Sequence, residues 1–197
     1  MARLHTHPKY SQFRFDAGSL ALNFAATVRH RGFQQPRDLL HTPESLVKWF
    51  KGAGCNSPAV RPTNPDYEEA LLLREAIYRV VRSRILNEKL LVADMDCINT
   101  NAAYRLAVPQ VEKNTGRLHW ESEHPVRACL AEIARDAVIL IGDVESHRLK
   151  MCDNEGCRMI YFDNSPVNRR RWCAMSICGN REKIRTYRLR KRVPEAG

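Results

Sequence analysis

Residues 148–192 read RLKMCDNEGCRMIYFDNSPVNRRRWCAMSICGNREKIRTYRLRKR, and four thiols divide the stretch as Cys152-x4-Cys157, fifteen residues, then Cys173-x4-Cys178. Zinc takes four soft or borderline ligands at tetrahedral corners, with sulfur at about 2.3 Å. Two short loops that each supply two thiolates meet that need, and the insert lets the chain return to close the site. With sulfur at all four corners no coordination position is left for water, so one structural zinc ion is expected at Cys152, Cys157, Cys173 and Cys178, contributing folding energy and not catalysis. So short a stretch is also too small to fold well on apolar burial alone. Two disulfides, four unlinked core thiols and an iron–sulfur cluster are the competing readings of the same residues. The chain has seven Cys, an odd number that suits a full disulfide framework poorly. Residues 1–15 contain no apolar run of signal-peptide length and no stretch is long enough to span a membrane, which points to a reducing cytoplasm and to metal over disulfide. The remaining Cys55, Cys97 and Cys129 read as isolated buried thiols.

Charge singles out the same stretch. The chain carries a formal +10, and residues 148–192 hold 13 Lys/Arg against 4 Asp/Glu, whereas residues 1–147 hold 19 against 17. A zinc ion with four thiolates contributes about −2 locally and leaves the segment strongly basic. Ser165-Pro166 is a cap signal that predicts a short helix running into Cys173 and presenting Arg169, Arg170 and Arg171 beside the metal. A second helix is expected from about Arg181 to Arg192, with Arg181, Arg185, Arg188 and Arg192 on one face and Ile184 and Leu189 on others. Cations at this density neutralise phosphates and release counterions, and Arg also reads guanine edges. The candidate DNA contacts are Arg169, Arg170, Arg171, Arg181, Lys183, Arg185 and Arg188. Trp172 and Phe162 read as apolar cover over the thiolates, with base stacking as the alternative.

The first 147 residues read as mostly helical. Residues 18–28 form a compact apolar segment. Thr42-Pro43 and Asn64-Pro65 are cap signals, the first for a helix that carries Leu46, Val47 and Phe50 inward and stops at Gly52 or Gly54. The second opens the longest helix, to about Asn87, with Ala70, Leu73, Ile77, Val80, Val81 and Arg84 on one stripe. A weaker helix is expected from Asp94 to Ala107, where Asp94 and Asp96 look like capping residues. Val108–Glu112 and Arg117–Glu121 flank Asn114-Thr115-Gly116 as a hairpin. Pro125 starts an amphipathic helix that ends near Gly142-Asp143. Trp49, Tyr78, Tyr104 and Trp120 are expected to line the core. His5-x-His7 is a weak metal motif. No catalytic constellation or Gly-rich phosphate loop stands out, so the chain is expected not to be an enzyme.

With these residues in view the stretch resembles the CGNR zinc-finger family: it contains Cys178-Gly179-Asn180-Arg181, Phe162-Asp163-x-Ser165 and Arg170-Arg171-Trp172-Cys173. Members usually carry an N-terminal mostly helical domain called ABATE, described in terms of stress-induced transcription regulation. Residues 1–147 look like that domain. Leu22-Asn23-Phe24-Ala25-Ala26-Thr27 stands where the family tends to show Leu-Asp-Phe-Val-Asn-Thr, so Asn23 and Ala26 depart from its polar pattern. The resemblance implies a bacterial, cytoplasmic transcription regulator. The expected architecture is mainly α with a small β-hairpin: a helical, ABATE-like sensing domain at 1–147, then a small treble-Cys-type zinc module with four Cys ligands at 148–197. The expected partner is double-stranded DNA, with a small-molecule effector or self-association falling to the body. An RNA-binding protein using the same surface, and a small-molecule-binding body whose finger docks an acidic protein, are the alternatives.

Overall fold

The computed structural model describes residues 12–55 and 61–192. The His5-x-His7 motif, the middle of the 55–63 loop and the side chain of Arg192 lie outside the described residues. Among the described residues six α-helices carry the fold: α1 (Leu20–Ala25), α2 (Pro43–Ala53), α3 (Asn64–Leu86), α4 (Val92–Ala102), α5 (Pro125–Gly142) and α6 (Asn180–Arg192). Three antiparallel strand pairs accompany them: β1 (Val28–Arg29) with β2 (Arg37–Asp38), β3 (Val108–Val111) with β4 (Leu118–Glu121), and β5 (Leu149–Met151) with β6 (Ile160–Phe162). The expected hairpin is thus one of three.

Caps set the helix limits. In α2 the Thr42 hydroxyl accepts from Ser45 N, the Ser45 hydroxyl accepts from Thr42 N, and Gly54 closes the helix at φ +73°, the left-handed geometry that glycine adopts without steric cost. For α3 the cap is Thr63, one residue before the expected Asn64. Its hydroxyl accepts from Asp66 N while an Asp66 carboxylate oxygen accepts from Thr63 N at 2.9 Å. The helix buries Ala70, Leu73, Ile77, Val80 and Val81, while Arg84 reaches out to the Ile141 carbonyl. Asp94 does not cap α4, contrary to the sequence reading. Leu91 holds the cap position without a side-chain bond, and the buried Asp94 carboxylate receives the Arg79 fork at 2.6 and 2.8 Å. A carboxylate placed there has a guanidinium within reach across α3, and that stronger, bidentate bond wins over a local cap.

The apolar faces of α1, α2, α3 and α5 meet in one core around Trp49, whose ring lies 4.8 Å from that of Phe24 and 6.0 Å from that of Phe50. Tyr78, Tyr104 and Trp120 are only half-buried, so of the four expected core aromatics Trp49 alone is fully enclosed. Asp136 of α5 accepts from Ala21 N at 2.7 Å and fixes the start of α1. Asn23 accepts from Ala17 N at 2.9 Å, so the residue that departs from the family pattern serves the backbone here. Cys55 and Cys129 are not isolated: their thiols hydrogen-bond each other, and this contact, followed by burial, raises the Cys55 thiol well above its ordinary range.

The same core runs on into the C-terminal segment, through Leu149, Ile160, Tyr161, Cys152, Cys173 and Cys178. Phe162 N donates to Ala17 O at 2.8 Å, and Tyr78 Oη donates to Arg158 O at 3.1 Å. Two glycines permit the closest approach. A Cβ on Gly32 would lie 1.6 Å from Glu155 O, and one on Gly156 would lie 2.3 Å from the Phe33 ring. Among the described residues no helix is long and apolar enough to cross a membrane.

Candidate metal centre and its basic surround

Hairpin β5–β6 delivers the first cysteine pair. Cys152 follows β5 and its N–H donates to Met159 O at 2.9 Å, while Cys157 N donates to Asn154 O at 2.8 Å in the turn, with Arg158 at φ +51°. The second pair sits on a π-helical turn, Met175–Gly179, that runs directly into α6. Cys173 precedes that turn and Cys178 lies within it, so the turn ties α6 to the centre.

The four ligand atoms lie within 4.8 Å of one another. Sγ of Cys173 is 3.7 Å from Sγ of Cys157 and 3.7 Å from Sγ of Cys178. A tetrahedron with metal–sulfur bonds of about 2.3 Å has edges of about 3.8 Å. These residues therefore fit a four-coordinate metal ion. Cys152, Cys173 and Cys178 are buried and Cys157 is half-buried.

The loop that joins the two pairs is not the short helix expected from Ser165-Pro166. Asp163, fully buried, takes Ser165 N at 3.0 Å on one oxygen and Arg170 N at 2.8 Å on the other. With the local N–H groups drawn to one carboxylate, and Asn168 in the left-handed region at φ +46°, the chain forms a turn and an extended arm. Burial alone would raise the Asp163 carboxyl, but the hydrogen bonds from Ser165 and Arg170 outweigh it and hold it below the usual range.

The basic residues divide into two groups. Arg169, Arg171, Lys183, Arg185 and Arg188 are exposed. Arg171 pairs with Asp153 at 2.7 Å and lies over the Trp172 ring, and Arg185 pairs with Glu182. Arg170 differs from the expectation of a DNA-facing side chain. Its guanidinium stacks on Tyr161 and donates to the carbonyls of Trp172 and Cys173, just before the metal-binding turn, which draws the side chain inward. Arg181 is half-buried and faces back toward Cys157 and Cys178. Helix α6 packs on the turn before it and leaves Ile184, Tyr187 and Leu189 more than half exposed, at 51%, 59% and 51%. Between α6 and the arm lies an open groove of about 430 Å³ lined by Arg171, Trp172, Lys183, Tyr187 and Arg190. Phe162 packs over Gly18, and Trp172 is half-buried on the groove wall.

Two further residues at the centre come from the opposite end of the chain. Arg14 Nη1 donates to Cys173 Sγ at 3.3 Å and Nη2 to Cys173 O at 3.1 Å, while Asp16 holds the same guanidinium at 2.7 and 2.6 Å. Arg29 lines the adjoining cavity with His30, Cys157, Cys173 and Cys178. Burial first, and Arg14 second, push Arg29 down to about 10. Hydrogen bonding with the other three thiols, Cys152 first, and the Arg14 charge beside it hold the Cys173 thiol well below its ordinary range. Nothing in the sequence near Arg14 or Arg29 signals these contacts. The only available hint is that a buried anionic cluster needs cations.

A compact helical body joined to a four-cysteine metal-binding module is the class that this fold and centre define. The chain belongs to the ABATE family, whose description is "Putative stress-induced transcription regulator", matched over residues 18–144. Residues 148–191 match the CGNR zinc finger. Among curated proteins no sequence matches this chain.

Proposed function

We propose that the protein is a cytoplasmic, zinc-dependent DNA-binding transcription regulator and not an enzyme, with one structural zinc at Cys152, Cys157, Cys173 and Cys178. The observation that carries this reading is the set of exposed cations carried by the elements around the thiol centre: Arg169 and Arg171 on the Asp163-shaped arm, and Lys183, Arg185 and Arg188 on a helix that buries little of itself. The metal's part is to lock arm and helix at one separation. The side chains do the binding. The ion pairs Arg171–Asp153 and Arg185–Glu182 lie at the surface, where solvent screens them, so phosphates displace them readily. Arg170 is assigned to holding the metal-binding turn, not to DNA. In the body, a groove of about 420 Å³ lined by Tyr104, Arg105, Leu106, Val108, His124 and Arg127 is where a small effector would bind.

The test is a salt titration of zinc-loaded protein on duplex DNA, with metal content measured on the same sample. The expected result is one zinc per chain and binding that weakens steeply with salt. In the variant carrying Arg169→Ala, Arg171→Ala and Arg188→Ala, the log–log salt slope should flatten by up to about 0.9 per lost phosphate contact. Binding that prefers structured RNA in competition would move the reading to RNA. One zinc per chain without salt-sensitive nucleic acid binding would refute it in favour of a protein partner.

A further inference from the structure

A divalent metal held by four thiolates is a net dianion. Here that dianion would sit inside the shared core, where an uncompensated charge is strongly disfavoured. The chain segment 12–33 brings two buried guanidinium groups to it. The Arg14 side chain is 9% exposed and Arg29 is 7% exposed, and both line the small cavity against Cys157, Cys173 and Cys178. Arg14 is aimed at Cys173 Sγ by its fork to Asp16. Arg29 spends one nitrogen on Gln12 O at 3.1 Å, and its buried Nε has no hydrogen-bond partner.

We propose that Arg14 and Arg29 are positioning residues for the metal: they supply the counter-charge of the tetrathiolate centre, and metal occupancy thereby decides whether segment 12–33 stays seated on the module. The inference rests on the metal reading of the four cysteines and adds to it a link to the body. With metal bound, two buried cations face a dianion. With metal lost, Arg14 keeps its pair with Asp16, but Arg29 loses the dianion it faced and is left against Arg14. Their repulsion then acts on the segment that also holds Ala17 against Phe162 and Gly32 against Glu155. A purely packing role for the two arginines would depend on their shape and not on their charge.

The experiment uses the full chain loaded with cobalt(II). Arg14→Met and Arg29→Met preserve length and remove charge, and Arg14→Lys preserves charge and removes the fork. One cobalt per chain is expected in each. Chelator should strip the Met variants about 10–100-fold faster, the usual effect of losing a partner that orients or compensates a metal ligand. The sulfur-to-cobalt charge-transfer band should shift to lower energy in Arg14→Met, because Cys173 loses a donor, and return part of the way in Arg14→Lys. In the unmodified protein, stripping the metal should raise hydrogen exchange across residues 12–33. Unchanged release rates and spectra in both Met variants, or unchanged exchange in segment 12–33, would overturn the proposal while leaving the metal site intact. Failure of the parent protein to bind cobalt would instead remove the metal reading on which it rests. Should a Met variant not fold, Arg14→Lys and the exchange experiment on the parent still decide the question.

Discussion

Asp163→Asn tests the idea that one carboxylate shapes the arm that carries Arg169 and Arg171. The carboxylate is fully buried and accepts two N–H groups, at 3.0 and 2.8 Å. The amide retains one acceptor oxygen and turns an NH₂ group toward the second N–H. One charge-assisted bond, worth about 1.5–3 kcal/mol, is lost, and a buried donor is left unpaired at a cost of about 1–3 kcal/mol. The two terms overlap, so a destabilisation of about 3 kcal/mol is expected. For a chain of this size that lowers Tm by about 6–12 °C. The pH dependence follows from the sign of the shift. Asp163 is held below the usual carboxylate range, so its stabilisation is fully present above that range and is lost only as pH falls through the depressed value. Between pH 6 and pH 8 the gap between parent and variant should therefore stay constant, in a window where zinc is retained. Thermal unfolding of the zinc-loaded proteins by circular dichroism reads this directly. A variant within about 0.5 kcal/mol of the parent, or a gap that changes across pH 6–8, would refute the reasoning.

Two glycines, one tryptophan and the metal itself give further tests of the packing. Gly32→Ala places a Cβ 1.6 Å from a backbone oxygen, whereas Gly156→Ala meets the Phe33 ring, which is 48% exposed and free to swing aside. Gly32→Ala should thus reach or exceed the upper end of the usual overpacking cost of about 1–3 kcal/mol, with Gly156→Ala well below it, and denaturation midpoints in the reverse order would count against the contact. Trp49→Ala empties the centre of the core and should cost about 3–5 kcal/mol, read by urea unfolding. Chelation of the metal removes a ligand that binds the folded state. At a thousandfold excess over its dissociation constant that ligand supplies about 4 kcal/mol, so Tm should fall by about 8–16 °C and recover on adding one equivalent of zinc.

Much of this was legible in the sequence because its signals are local. Equal Cys-x4-Cys spacings define a four-sulfur site before any fold is known. Thr42-Pro43, Gly54 and Asn87 mark helix ends through caps that act within four residues. The stripe from Ala70 to Val81 records one helical period. The charge excess of residues 148–192 likewise needs no coordinates. These features depend on neighbours along the chain, so a linear reading recovers them.

The tertiary structure decided what depends on neighbours in space. Arg14 and Cys173 are 159 residues apart and meet only because β6 lies beside the start of α1, with Phe162 N on Ala17 O. Asp94 has the composition of a cap and becomes the buried partner of Arg79, since α4 packs back along α3. The Arg triplet looks uniform in the sequence, yet the loop geometry imposed by Asp163 turns Arg170 inward and leaves Arg169 and Arg171 outside. The physical reason is common to all three. A capping box or a helical stripe is fixed by chain geometry within a turn or two, whereas the partner of a buried charge is whichever opposite group the packed elements bring within about 3 Å.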